Sequence, residues 1–444
     1  MGDPTKPPER TERTRADPSR LAAYDVLKAV RLDDAYANLS LPLVLAEHRL
    51  SGRDAAFTTE LVSGTIRRQG TYDAIIDACL TKPRLEAKVR DALRLGVHQL
   101  LAMRVPDHAA ISTSVDLVRA RVGVGPTGLV NAVLRKVAAH DLEAWIDRVA
   151  PDPARDAVGF ASIAHSHPRW IVEALAQALD APTELPEVLA ADNAAPRVML
   201  VALPGLATVD ELMAAGGSRS TLSPYAVELA GGDPSAISAV AHGRAGVQDE
   251  GSQLVALALA EAELSGRDER WLDVCAGPGG KAALLACLAA ERGATVLANE
   301  RQHHRARLVA RGTRAASSGM LGIVTGDGTR PPWREQTFDR VLVDAPCSGL
   351  GALRRRPESR WRRTPADLDA LVPLQRRLLD VAIDSTRPGG VVVYATCSPV
   401  LAETTEVVQA VLGVRADAVL ERSQQLWPHR DGTDAMFIAT IRRT

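Results

Sequence analysis

The distribution of apolar positions divides the chain into three stretches of different texture. From residue 19 to about 145, apolar residues recur at helical spacing. VRDALRLGVHQLLAMR sets Val89, Leu93, Gly96–Val97 and Leu100–Leu101 at that spacing, with Arg90, Asp91 and Arg94 elsewhere on the wheel. RLAAYDVLKAV, DAAFTTELVSGTIRRQ and GLVNAVLRKVAAH repeat the pattern, and no period-2 segment interrupts them. An all-α domain is expected over 19–145. The polar, mixed-charge stretch MGDPTKPPERTERTRADPSR predicts a disordered tail over 1–18.

Between 146 and 245 proline and glycine punctuate shorter elements. HPRWIVEALAQAL predicts a helix, PRVMLVALPG a strand and DELMAAGG another helix, together a small α+β connecting subdomain. From 246 to 444 short apolar strands alternate with helices, as in a doubly wound, Rossmann-like α/β sheet. The predicted strands are WLDVC, TVLANE, LGIVTGD, FDRVLVDAP and VVVYATCS, with MFIATIRR as an edge strand. KAALLACLAAER follows the first strand as a helix. Another starts at Thr364-Pro365-Ala366-Asp367 and runs toward Arg387, bent at Pro373.

Composition narrows the class. A chain of 444 residues, 46% hydrophobic and 24% charged, has the balance of an ordinary globular protein with room for several domains. No apolar run approaches the ~20 residues of a membrane span, and the N-terminus lacks a signal peptide's apolar core, so a cytoplasmic protein is expected. Five cysteines, an odd and sparse set, argue for a reducing compartment and against a disulfide framework. Without CxxC or HxxxH spacing, no metal site is expected. A net charge of −1 does not mark a nucleic-acid binder. Lysine is scarce, and Lys281 alone lies beyond Lys136.

That lysine closes DVCAGPGGK. After a buried strand, Gly277, Gly279 and Gly280 let backbone approach a ligand closely, and the next helix offers free N–H groups. The second strand ends in Glu300, where an acid can bind ribose hydroxyls; the third ends in Gly326-Asp327, able to accept from an adenine amine. An adenosine-bearing ligand without phosphates, such as S-adenosylmethionine, fits this set. Each acid alone is equally a common helix cap.

Two cysteines, Cys347 in DAPCSG and Cys397 in YATCSP, follow two further strands. Buried structural thiols are common, and Cys275 and Cys287 fit that description. Cys347 and Cys397 instead sit at strand ends beside Pro, Ser and Gly. A thiolate that adds to C6 of a pyrimidine makes C5 reactive toward a methyl donor. Such chemistry needs a cysteine of depressed pKa, an acid such as Asp344 on the cytosine N3/N4 edge, and assistance to departure.

DVCAGPGGK, the Gly-Asp at 326–327, DAPCSG and YATCSP together resemble the Sun/RsmB (Fmu) family of RNA cytosine-C5 methyltransferases. The resemblance implies that Cys397 is the nucleophile and Cys347 assists product release. It also implies that Cys275, Ala276, Gly277, Pro278, Gly279, Gly280, Lys281, Glu300, Asp327 and Asp344 hold the cofactor, S-adenosyl-L-methionine. Gly277 stands where alanine is usual in the family, Ala282 where threonine is usual and Glu300 where aspartate is usual. VQDEGSQL at 247–254 resembles the segment that leads into the family's catalytic domain. AFTTELVSGTIRR, LRLGVHQLLAMRVPDHAAIS and GLVNAVLRK resemble the NusB-like RNA-binding domain found in enzymes that act on small-subunit rRNA. The expected partner is therefore RNA, specifically 16S rRNA, with a monomeric enzyme.

LRRRPESRWRR places Arg354, Arg355, Arg356, Arg360, Arg362 and Arg363 just after DAPCSG with only Glu358 opposing. Arg354, Arg355, Arg356 and Arg360 are expected to neutralise phosphates and Trp361 to stack on an unpaired base. A solvated basic loop is the simpler alternative. Other functional readings are a tRNA- or DNA-directed cytosine methyltransferase and a non-catalytic RNA-binding assembly factor. Lys281 has two open roles, on the cofactor carboxylate or on the target base.

Overall fold

The structure, a computed structural model, describes residues 16–82 and 84–444; the expected tail through residue 15 lies outside the described residues. The chain forms two compact units. One ends at Arg169 and takes in Arg356–Glu358; the other comprises Trp170–Arg355 and Ser359–Thr444.

The first unit is helical, as its 3.6-residue periodicity predicts. Helices Pro18–Leu32, Gly52–Arg67, Gln69–Cys79, Ala87–Leu101 and Thr127–Val137 bury Val26, Leu61, Ile75, Leu93, Val97 and Leu134 in a common core. Asp17 and Pro18, assigned to the tail by their polarity, instead start the first helix: the Asp17 carboxylate caps the Arg20 N–H and Pro18 takes a first-turn position. The unit also runs past the boundary expected at 145. Trp145 Nε1 donates to the Val137 carbonyl at 2.8 Å, and the Ser166 hydroxyl accepts from Gly70 N–H at 2.9 Å, so helices Leu142–Val149 and Ala157–Ala164 belong to it.

In the second unit the connecting segment forms a four-stranded antiparallel sheet in the order β2-β3-β1-β4. Its strands are β1 (Val198–Ala202), β2 (Gly217–Arg219), β3 (Ala226–Leu229) and β4 (Ala245–Val247). Three of these are three or four residues long, too short for alternation to announce them. The sheet is fastened to helix Glu250–Glu261. The Glu250 carboxylate accepts from Leu222 N–H, Ser223 N–H and the Ser220 hydroxyl, and the Gln253 amide donates to the Leu200 carbonyl.

The large sheet has seven strands: β5 (Arg270–Asp273), β6 (Thr295–Glu300), β7 (Met320–Thr325), β8 (Phe338–Asp344), β9 (Thr386–Thr396), β10 (Ala418–Gln425) and β11 (Phe437–Arg443). Their order is β10-β11-β9-β8-β5-β6-β7; β5 to β9 run parallel and β11 pairs antiparallel with both β9 and β10. Helices cover both faces, so the central strands read as unbroken apolar runs. Trp271, Val391, Val393 and Ala395 pack on the face of helices Glu250–Glu261 and Gly280–Ala290, whereas Leu272, Val392 and Tyr394 pack toward helices Ala366–Ser385 and Thr405–Leu412. MFIATIRR is not the edge strand its weak alternation suggested. β10, with an exposed, polar sequence, occupies that edge. β5 is the topological switch point: the chain turns to β6 on one side and β8 on the other, opening a crevice at their carboxyl ends.

Candidate active site

The glycine turn leaves β5 at that crevice. Gly279 takes φ +119°, which a side chain would strain, and caps helix Gly280–Ala290. A Cβ at Gly279 would lie 3.0 Å from Val309 Cα, so the turn is packed tightly on the neighbouring helix. The Glu300 carboxylate, buried at the end of β6, accepts from Gly277 N–H at 3.1 Å and from Gln302 N–H at 3.0 Å. Arg305 donates to the Gly277 carbonyl at 2.8 Å. Asp327, beyond β7, accepts from the Thr329 N–H and hydroxyl, which hold its carboxyl below the usual range. Asn299, which sequence reasoning passed over, donates to the Val274 and Gly326 carbonyls and so ties the ends of β5 and β7 together. Its one signal was an amide inside an otherwise apolar strand.

Three buried side chains at this cradle carry polar atoms with no hydrogen-bond partner among the described residues: Asp273 Oδ2, Asn299 Oδ1 and both polar atoms of the Gln248 amide. The Gln248 amide faces Gly280 across about the distance of van der Waals contact, 3.7 Å from a Cβ built there. Burial, reinforced by the nearby Asp344 carboxylate, pushes Asp273 up to about 7. Cys275 is likewise pushed far up by burial and by Asp273, which leaves it a neutral thiol. Ala276 and Pro278 complete the turn.

Cys347 and Cys397 meet at the ends of the adjacent strands β8 and β9. Their sulfurs are 3.4 Å apart, well beyond the ~2.05 Å of a disulfide, and both thiols are half-buried rather than sealed. The hydrogen bond with Cys397, then burial, raises the Cys347 thiol well above its ordinary value, so Cys347 keeps its proton; either sulfur can donate in the contact between them. Lys281 reaches the same point from the glycine turn. Its ammonium donates to Asp344 Oδ2 at 2.9 Å and to the Ser252 hydroxyl at 3.3 Å. Burial opposes its charge, but Asp344, aided by Cys397 and Asp273, outweighs burial and raises it. Lys281 is thus held as a cation within electrostatic reach of Cys397. Gly351 donates its N–H to the Cys397 carbonyl at 2.9 Å and pins the loop.

The arginine run does not behave as an exposed basic loop. Arg354 is buried and donates to Asp434 Oδ1 at 2.9 Å and to the Gly432 carbonyl; Arg355 pairs with Asp249 and Asp434. Arg360 is fully buried, donating to Asn193 Oδ1 at 2.7 Å and the Asp192 carbonyl at 3.1 Å. The expectation that Arg354, Arg355 and Arg360 meet phosphates is corrected on that ground: Arg354 and Arg355 are taken up by buried aspartates, and Arg360 is buried against an amide and a backbone carbonyl. Arg356 is exposed, its guanidinium 5.3 Å from the Tyr36 ring centroid, and Trp361 is half-buried. Arg363 Nε donates to the Ser348 carbonyl at 3.0 Å, next to Cys347.

A mixed sheet of this order, carrying a glycine cradle at its switch point, is a Rossmann-like fold, preceded in the chain by a helical domain. Residues 261–442 match the family described as 16S rRNA methyltransferase RsmB/F, and residues 17–139 match the NusB family. A Mycobacterium tuberculosis chain named as a methyltransferase is 50% identical over 446 residues, covering 96% of this chain and 97% of its own. Ribosomal RNA small subunit methyltransferase B of Salmonella newport is 32% identical over 440 residues, covering 95% of this chain and 97% of its own. The crystal structure of PH0851 superposes with a TM-score of 0.78 at 22% identity, over 96% of this chain and 99% of that one. The chain belongs to the RsmB/Sun family of RNA methyltransferases, with the NusB-plus-methyltransferase layout. Among the described residues no helix is long and apolar enough to cross a membrane, and no cluster of His, Cys, Asp or Glu could hold a metal.

Proposed function

We propose that the protein transfers a methyl group from S-adenosylmethionine to C5 of a cytidine in 16S rRNA, with Cys397 as nucleophile and Cys347 assisting release. The observation that carries this reading is the 3.4 Å approach of the two sulfurs beside the Lys281–Asp344 pair. When bound, the cofactor supplies an electrophilic methyl group. The residues at the cradle fit it: Glu300 for ribose hydroxyls, Asp327 for the adenine amine, and backbone from Cys275 to Gly280 against the rest. The unpartnered Asp273 and Gln248 groups lie buried beside the same turn. The structure of NSun6 from Pyrococcus horikoshii with SFG, similar in fold at a TM-score of 0.54, is consistent with a cofactor there.

In the cycle, the Lys281 ammonium stabilises the Cys397 thiolate, which bonds to C6 and pushes electrons toward C5. Asp344 holds the N3/N4 edge of the base. After the methyl group arrives, a base removes the C5 proton, the C6–S bond breaks, and its electron pair returns to Cys397. Cys347, protonated and in contact, hydrogen-bonds the departing thiolate. A cytidine must leave any stack to reach these sulfurs. The relatives named ribosomal RNA small subunit methyltransferase B support 16S rRNA as the substrate.

The test is methyl transfer from labelled cofactor to 16S rRNA, small subunits and tRNA, followed by digestion to nucleosides. Label in 5-methylcytidine from 16S rRNA is expected. Label confined to tRNA reassigns the substrate, and cofactor binding without transfer to any RNA favours an assembly role.

A further inference from the structure

Glu403 lies one short turn beyond the Cys397 loop and is fully buried, yet its partners are neutral donors. One carboxylate oxygen accepts from Ser348 N–H at 2.7 Å and from the Gln375 amide at 3.0 Å. The other accepts from the Ser348 hydroxyl at 2.5 Å and the Ser398 hydroxyl at 2.6 Å. The Glu403 carbonyl in turn accepts from the Tyr394 hydroxyl at 2.8 Å. Ser348 follows Cys347 and Ser398 follows Cys397, so a single carboxylate grips the residue next to each thiol, on loops 50 residues apart in sequence.

We propose that Glu403 is the positioning residue of the thiol pair: by bridging Ser348 and Ser398 it fixes how the two sulfurs face each other and makes Cys397, not Cys347, the reactive one. Its catalytic consequence rests on the proposed role of Cys397 in cytosine methylation; its effect on thiol reactivity does not. The charges around the pair are unequal. The buried Glu403 charge adds to the effects that keep Cys347 protonated. Lys281, with Asp344 and Asp273 behind it, acts on Cys397. A carboxylate that favours the protonated form of one thiol and an ammonium that favours the thiolate of the other would divide the labour between two chemically identical groups.

Two variants of the full chain separate charge from hydrogen bonding: Glu403→Gln keeps the shape and removes the charge, while Ser398→Ala removes one bridge and keeps the charge. Iodoacetamide pulses from about pH 6 to about pH 10, with each cysteine peptide followed by mass spectrometry, read the two thiols separately. In the wild type, Cys397 is expected to alkylate at lower pH than Cys347. Glu403→Gln should raise Cys347 alkylation near neutral pH by about fivefold or more and close the gap. Ser398→Ala should slow methyl transfer about tenfold with cofactor affinity unchanged. Wild-type alkylation profiles in Glu403→Gln overturn the proposal, even if transfer is lost. Should Glu403→Gln fail to fold by circular dichroism, Ser398→Ala decides: unchanged transfer and unchanged thiol profiles overturn the proposal. If the wild type methylates no RNA, the methylation reading falls, and the alkylation profiles alone judge Glu403.

Discussion

The Glu300 carboxylate occupies the space that a side chain on residue 277 would need. A Cβ on Gly277 would collide with Glu300 Oε2, the same oxygen that accepts the Gly277 N–H at 3.1 Å. Two departures from the family pattern, glycine for alanine and glutamate for aspartate, are therefore one adjustment: the longer acid fits because the methyl group is missing. Gly277→Ala should weaken cofactor binding by about tenfold, and adding Glu300→Asp should restore most of it. Calorimetric titration of the two single variants and the double variant measures the coupling; strictly additive effects contradict it.

Asp273 makes stability depend on pH. Its folded pKa, about 7, lies above the ordinary value of 3.8, so the folded state holds a proton that the unfolded state has released between those values. Stability from this group is present below about pH 4, falls as pH rises, and levels off above about 7. Asp273→Asn, which keeps the contact to the Cys275 N–H, should remove that slope, a difference of roughly 4 kcal/mol at most at alkaline pH. Urea unfolding from acid to alkaline pH compares the two chains. Asp192, also pushed up to about 7 by burial, contributes the same trend to both and cancels.

Arg355 serves stability more than RNA. It is flanked by Asp249 and Asp434, and cutting it away leaves those two buried carboxylates to Arg354 alone. Arg355→Ala should destabilise the chain by about 3–5 kcal/mol. Arg356→Ala, at an exposed position, should leave stability near wild type and reduce the salt slope of RNA binding by about one. Equal salt slopes for wild type and Arg356→Ala would remove Arg356 from the RNA interface.

Gly351 sets the height of the loop that carries Cys397. A Cβ there would press into the Ala435 carbonyl and the Cys397 backbone, so Gly351→Ala must move the loop that carries Cys397. Transfer should fall by at least about a hundredfold while cofactor binding is retained, since displacement of about 1 Å suffices. Single-turnover kinetics at saturating cofactor reads the effect.

The parallel sheet was legible because its central strands are largely apolar runs closed by polar or turn residues, as in TVLANE and FDRVLVDAP. The short strands Gly217–Arg219 and Ala245–Val247 were not, since three residues cannot display a period. β10, AVLERSQQ, reads as polar because it is an edge, and β11 looked like one because its alternation is weak. At the site, glycine spacing and cysteine position named the cradle and the thiols. Charge alone misled for Arg354 and Arg360, whose partners Asp434 and Asn193 are distant in sequence. Glu403 was invisible for the same reason: its partner Ser348 lies 55 residues away.

The most direct test of Cys397 as nucleophile is mass-spectrometric mapping of the covalent protein–RNA species formed by Cys347→Ala with cofactor and substrate RNA. A stable adduct should accumulate, map to the peptide carrying Cys397, and vanish when Cys397→Ala is added. An adduct formed instead by the Cys397→Ala single variant, through Cys347, would contradict the assignment.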